Sequence, residues 1–206
     1  MTPVIDIVWP LAIQGRIPLH HQYPLLSAIS KLVPAVHASE AFGLHPIRGI
    51  RVAPGILELT PWSTVKIRTQ LTQLECLLPL SGKRLDLASY PIRLGTPQLF
   101  TLSASANLIC PLVTIKGYLE AGIFANGLRK QLDSEGVSPS VNMVVGRRRV
   151  LRVKQQAIVG FEVRLEGLSE QDSLTVQQQG VGGRRHLGCG LFNPIKSTRQ
   201  QERNQQ

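Results

Sequence analysis

Apolar residues fall into short blocks whose spacing alternates between strand-like and helix-like along the chain. Pro3 to Ile13 is a nearly continuous apolar run bounded by Pro10 and Gly15, which predicts a buried strand. Pro24 suits the first turn of a helix, and Leu25, Leu26, Ile29, Leu32 and Val33 continue at helical spacing up to Pro34. Two short runs follow, Ile56–Glu58 and Thr64–Arg68. In the second, Val65 and Ile67 alternate with Thr64, Lys66 and Arg68 as they do on a half-buried strand. Leu71, Leu74, Leu77 and Leu78 return to helical spacing and stop at Pro79, and Tyr90–Leu94 and Gln98–Leu102 read as extended chain.

The second half repeats this order. Leu112–Lys116 predicts a strand, and Phe124, Leu128 and Leu132 mark a helix ending at Gly136. Val150–Lys154 and Ile158–Glu166 predict a hairpin joined at Gln155-Gln156-Ala157, with Val159, Phe161, Val163 and Leu165 on one face of its second arm. Ser169, with Asp172 three residues on, suits an N-cap, and a last strand runs through Phe192. Each half therefore reads βαββαβ, and the predicted class is α+β with tandem ferredoxin-like domains and a C-terminal glycine-rich loop. The expected division is 1–104, 105–195 and a disordered tail over 196–206, where no apolar residue occurs after Lys196.

Charge sharpens the picture. The net charge is +10, and from Gly146 onward eleven Lys/Arg stand against five Asp/Glu. Arg148, Arg152 and Lys154 share one face of the predicted hairpin arm, spaced to follow a sugar-phosphate backbone. Lys83, Arg84 and Lys116 extend the basic surface. Gly180-Val-Gly-Gly-Arg-Arg-His-Leu-Gly-Cys-Gly190 packs five glycines with Arg184 and Arg185. Two readings of it stand side by side: a backbone cradle for a polyanion, or a helix exit that returns the chain to a sheet. In the first, Gly182, Gly183, Arg184 and Arg185 meet nucleic acid.

No run of 18 apolar residues is present, which excludes a membrane-spanning helix. The N-terminus lacks a basic segment and carries Asp6, unlike a signal peptide, so a cytoplasmic protein is expected. Cys76, Cys110 and Cys189 share no metal-ligand spacing and read as reduced thiols. Walker loops, nucleophile elbows and His-x-x-x-His zinc patterns are missing, so no cofactor or metal is expected.

Four of the five histidines lie between His20 and His45, and His186 sits in the glycine loop. RNA can be cut by its own 2′-hydroxyl if one group takes that proton, a cation steadies the phosphorane, and a donor protonates the leaving 5′-oxygen. Histidine suits both proton transfers, with an ordinary pKa of about 6.5.

The chain resembles the CRISPR-associated repeat-processing endoribonucleases of the Cas6 family, nearest the short Myxococcus-type branch. The residues that carry the likeness begin with Ile17-Pro-x-x-His21-x-Tyr23-x-Leu25, Val36-His37 and Gly43-Leu-His-Pro-Ile-Arg-Gly49. Leu80-x-Gly-Lys-Arg-Leu85, Val113-Thr-Ile-Lys-Gly117 and the glycine motif through Gly190 continue it. The resemblance implies metal-independent cutting of CRISPR precursor RNA at the repeat hairpin by 2′-hydroxyl attack. It implies a 2′,3′-cyclic phosphate product and retention with other Cascade subunits. By the same resemblance His37 is the catalytic histidine, His45 and His21 stand behind it, and Lys83 or Arg84 is the partner. Ser30 stands where some members carry an assisting tyrosine. The alternatives are a non-cleaving subunit that holds an RNA hairpin and an enzyme using the loop for a phosphorylated small molecule.

Overall fold

The computed structural model describes residues 2–12, 15–39 and 41–195. Strand β1 (Val4–Pro10) is followed by β2 (Arg16–Pro18), helix α1 (Gln22–Ser30), the one-turn α2 (Ala35–Ala38), β3 (Gly43–Leu44), β4 (Ile50–Ala53), β5 (Ile56–Glu58) and β6 (Thr64–Gln70). A further turn, α3 (Leu74–Leu77), lies between two 3-10 turns, and β7 (Arg84–Asp86), β8 (Pro91–Arg93) and β9 (Gln98–Thr101) end the first half. The second half holds β10 (Asn107–Val113), α4 (Ala121–Ser134), β11 (Asn142–Val153), β12 (Gln156–Glu166), α5 (Glu170–Gln179), the 3-10 turn Arg185–Leu187 and β13 (Asn193–Pro194).

Two four-stranded sheets run in the orders β3-β6-β1-β9 and β11-β12-β10-β13. Numbering the strands of each sheet 1 to 4 along the chain, the first reads 2-3-1-4 and so does the second. The pairings of β1 with β6 and β9, and of β10 with β12 and β13, are antiparallel. This is the ferredoxin-like topology in tandem.

The second strand of the first sheet differs from expectation. It is β3, two residues long, paired as Gly43↔Arg68 and Leu44↔Ile67. Ile56–Glu58 instead joins a separate three-stranded sheet between β2 and β4. The segment Leu71–Leu80 winds as 3-10, α and 3-10 in succession instead of one helix. Pro79 removes an amide donor there, and only Leu77 and Leu80 of its leucines are fully buried. β10 begins five residues earlier than predicted, and its register slips between Cys110 and Val113, where Pro111 has no N–H to give. The predicted tail lies outside the described residues.

Contacts divide the chain into two compact units. One comprises the described residues up to Leu102 together with Val150–Ile158 and Arg184–Cys189. The other comprises Ser103–Arg149, Val159–Gly183 and the described residues from Gly190 on. The division expected at residue 104 treats each half as contiguous; by contacts, two later segments group with the first.

Within the first unit Ile5, Ile7 and Trp9 alternate along β1 beside Val65 and Ile67 of β6, all buried with Leu25, Leu26 and Ile29 of α1. The second unit buries Leu108, Cys110, Val163 and Leu165 of its sheet with Phe124, Leu128 and Leu132 of α4. Phe124 and Phe161 pack with their rings tilted at 46° and centroids 4.7 Å apart. α5 is capped as expected: Ser169 Oγ accepts the Asp172 N–H at 3.1 Å. Among the described residues no helix is long and apolar enough to cross a membrane.

Candidate nucleic-acid interface

The three histidines brought forward from the sequence occupy three different environments. His21 caps the N-terminus of α1 and is buried. Ile47 N–H donates to its Nε2 at 2.9 Å, so the proton rests on Nδ1, which donates to Pro18 O at 2.9 Å. Both nitrogens are committed to backbone, and the imidazole ties β2 to the loop after β3. Burial pushes its pKa below the ordinary value.

His45 is also buried. Its backbone N–H donates to Lys66 O at 2.9 Å, continuing the β3–β6 pairing, and among the described residues its Nε2 has no hydrogen-bond partner. Burial pushes this imidazole far below the ordinary histidine range, and the charges of Lys66, Arg68, Arg48 and Arg185 act in the same direction. Asp6 supplies the negative charge nearby: Arg68 grips it with Nε and Nη2 at 2.7 and 2.9 Å, and Lys66 Nζ reaches it at 3.1 Å. Burial alone would raise the Asp6 carboxyl, but these two cations hold it below its ordinary value. Burial brings the Lys66 ammonium down to about 8 against the pull of Asp6.

His37 is exposed, the only one of the five histidines that is. α2 carries it just past α1 through a chain of backbone bonds: Val33 N–H to Ile29 O, Val36 N–H to Val33 O and His37 N–H to Pro34 O. Val33 and Val36 anchor the turn in the core, which leaves the ring of His37 outward.

α1 is the element around which other basic residues gather. It packs against α2, against β7, and against the 3-10 turn Arg185–Leu187. Lys83 precedes β7 and Arg84 opens it, both exposed, and Arg84 lies directly opposite Arg93 of β8. Like charges facing each other across a strand pair cost stability unless an anion lies over them. Arg93 was not singled out from the sequence, although Pro91-Ile92-Arg93 carried the strand alternation that exposes it. Lys154, in the turn joining β11 and β12, sets its ammonium 5.0 Å from the ring centroid of Tyr23 in the first turn of α1.

The glycine-rich loop corrects the cradle reading for Gly182 and Gly183. Gly182 N–H donates to Gln131 Oε1 at 2.7 Å and Gly183 N–H to Thr114 O at 3.1 Å. The N–H groups of Val181, Leu187, Gly188, Cys189 and Gly190 are likewise donated within the protein. Gly180 ends α5 with φ +73°, and at Gly182 (φ +81°) a Cβ would lie 2.3 Å from Thr114 O. These glycines permit tight chain crossing, so the helix-exit reading describes them. The loop's outward cation is Arg184, exposed with φ +64°; Arg185 is half-buried.

On the hairpin Arg148 and Arg152 are exposed and Leu151 is buried, matching the predicted faces. Lys154 falls one residue beyond the strand. Arg149 pairs with Glu162 at 2.8 Å. The first unit holds His21, His37, His45, Lys83, Arg84, Arg152, Lys154, Arg184 and Arg185, from segments up to 164 residues apart in sequence, His21 to Arg185. Arg148, Gly182 and Gly183 belong to the second unit. Among the described residues, no three His, Cys, Asp or Glu side chains converge as metal ligands.

The chain is similar to known proteins. The family model described as Cas6 Crispr matches residues 5–197. A Myxococcus xanthus (strain DK1622) protein described as CRISPR-associated endonuclease Cas6 is 37% identical over 190 residues, covering 92% of this chain and 81% of that one. Among solved structures, a Cas6-related protein from Pyrococcus furiosus superposes with a TM-score of 0.65 at 16% identity, over 96% of this chain and 100% of its own. The CRISPR endoribonuclease Cse3 bound to a 19-nucleotide RNA gives 0.51 at 15% identity, over 94% and 100%. At such identities these two likenesses speak for the fold.

Proposed function

Because this chain belongs to the Cas6 family of CRISPR-associated endonucleases, we propose that it cuts CRISPR precursor RNA at the repeat hairpin without a metal ion, using His37 for proton transfer. The observation that carries the assignment to His37 is its exposure on a turn joined to α1 by backbone hydrogen bonds, while His21 and His45 are buried.

The reaction needs no group beyond those the chain owns. A base removes the proton of the 2′-hydroxyl, the 2′-oxygen attacks the adjacent phosphorus, and the 5′-oxygen leaves as it takes up a proton. The products are a 2′,3′-cyclic phosphate and a 5′-hydroxyl. His37 serves as one of the two proton-transfer groups. Charge building on the phosphorane is met by arginine or lysine, for which exposed Lys83 and Arg84, just before and at the start of the strand packed against α1, are the candidates. Arg148, Arg152, Arg184 and Arg185 hold the RNA backbone through forked donors. The finished guide RNA stays bound, and the protein remains with it in a Cascade-type assembly.

Incubation of a labelled repeat hairpin with the wild type and with His37→Ala in EDTA tests this. Cleavage to a cyclic phosphate, reduced about 10²–10⁴-fold in the variant with binding retained, is the expected result. Unimpaired cutting by the variant removes His37 from the reaction. Tight binding with no cutting by either protein leaves a subunit that only holds the hairpin.

A further inference from the structure

Lys154 stands in a backbone region that its side chain disfavours. With φ +52° it is one of four non-glycine residues in the left-handed region among the described residues, and glycine or asparagine sits there with less strain. The segment around it does not stand free. Leu151 and Ile158 on either side are buried, and Val150–Ile158 belongs to the same compact unit as α1. The ammonium lies over the ring of Tyr23, at cation–π distance from its centroid. Tyr23 is in the first turn of α1, and the backbone bonds that leave the other end of that helix lead to His37.

We propose that Lys154 is a positioning residue: its contact with Tyr23 pins the hairpin tip to the first turn of α1 and so sets His37 for cleavage. This rests on the reading of the chain as a hairpin-cutting enzyme. It departs from the assignment of Lys154 to the RNA backbone that strand periodicity suggested. Arg152, exposed two residues earlier on the strand itself, keeps that role.

Four variants separate the two roles. Lys154→Asn tolerates the left-handed turn and removes the cation, while Lys154→Arg keeps it. Tyr23→Leu removes the ring, while Tyr23→Phe keeps it. In the RNA-free protein, amides of Val150–Ile158 exchange with solvent about 2–5-fold faster in Lys154→Asn and in Tyr23→Leu, and the double variant exchanges no faster than either single variant. Single-turnover cleavage at saturating RNA slows by a similar factor in the same two. The slope of log Kd against log salt stays at the wild-type value in Lys154→Asn, and Lys154→Arg and Tyr23→Phe behave as wild type throughout.

Unchanged exchange in Lys154→Asn overturns the pin. A slope reduced by about 1 with unchanged cleavage at saturation makes Lys154 a phosphate contact and overturns the proposal too. A wild type that binds the hairpin without cutting overturns the enzyme reading and the positioning role with it. In that case the exchange data still show whether the contact exists.

Discussion

His21 and His45 show how little a residue's name says about its task. A histidine with both ring nitrogens bonded to backbone is a clamp, and removing it strands the Ile47 N–H and the Pro18 carbonyl. His21→Ala should lower unfolding stability by about 2–4 kcal/mol in urea titrations, since each buried group left unpaired costs about 1–3 kcal/mol. The variant that remains folded should cut RNA at the wild-type rate under saturation. Both imidazoles are held below the ordinary histidine pKa by burial, so between their folded values and about 6.5 the unfolded chain binds more protons than the folded one. Their contribution to stability is therefore complete above about 6.5 and is lost as the pH falls below it. Urea midpoints measured at pH 7.5 and 5.5 should differ less in His45→Leu than in the wild type; an equal difference would mean that His45 does not titrate on unfolding. None of this was legible in the spacing of the histidines. Exposure is decided by which neighbour the core takes, and at the end of α1 it takes Val33 and Val36, leaving His37 outside.

Among the elements, those with long periodic patterns were readable and those held by a single pairing were not. α4 shows its Phe124–Leu128–Leu132 stripe and β12 its alternation over eleven residues. β3 has two residues, one of them glycine, and no pattern can announce a strand that exists because β6 offers it an edge. The β7–β8 pair, three residues a strand, is nearly as short, yet it sets Arg84 against Arg93. Arg93→Ser should leave the free protein as stable as the wild type or up to about 1 kcal/mol more stable. The same change should reduce the salt slope of hairpin binding by about 1, measured by titration at several salt concentrations. A loss of stability with an unchanged slope would make Arg93 a structural residue. The glycine loop carries the opposite sensitivity. At Gly188, φ is +84° and a Cβ would lie 2.9 Å from Pro46 Cδ. Gly188→Ala should cost about 1–3 kcal/mol in thermal or urea unfolding, the amount that strained backbone of this kind represents.

At the scale of the whole molecule, tandem ferredoxin-like topology was legible because the order of strand and helix blocks survives errors in each block's ends. The grouping of segments was not. Nothing in the local pattern of residues 150–158 or 184–189 tells that they belong with the first half, because that membership is written in tertiary contacts. It matters for chemistry, since those two segments carry Arg152, Lys154, Arg184 and Arg185 into the unit that holds His37. It matters also for the order in which the protein comes into being. A ribosome releases the first 102 residues early, yet the unit they begin still lacks Leu151, Ile158 and Leu187, three apolar residues that end up buried. The nascent first half stays without these segments until residue 189 has been added. A chain cut short before Arg184 would then carry His37 without the last segment of the unit to which it belongs.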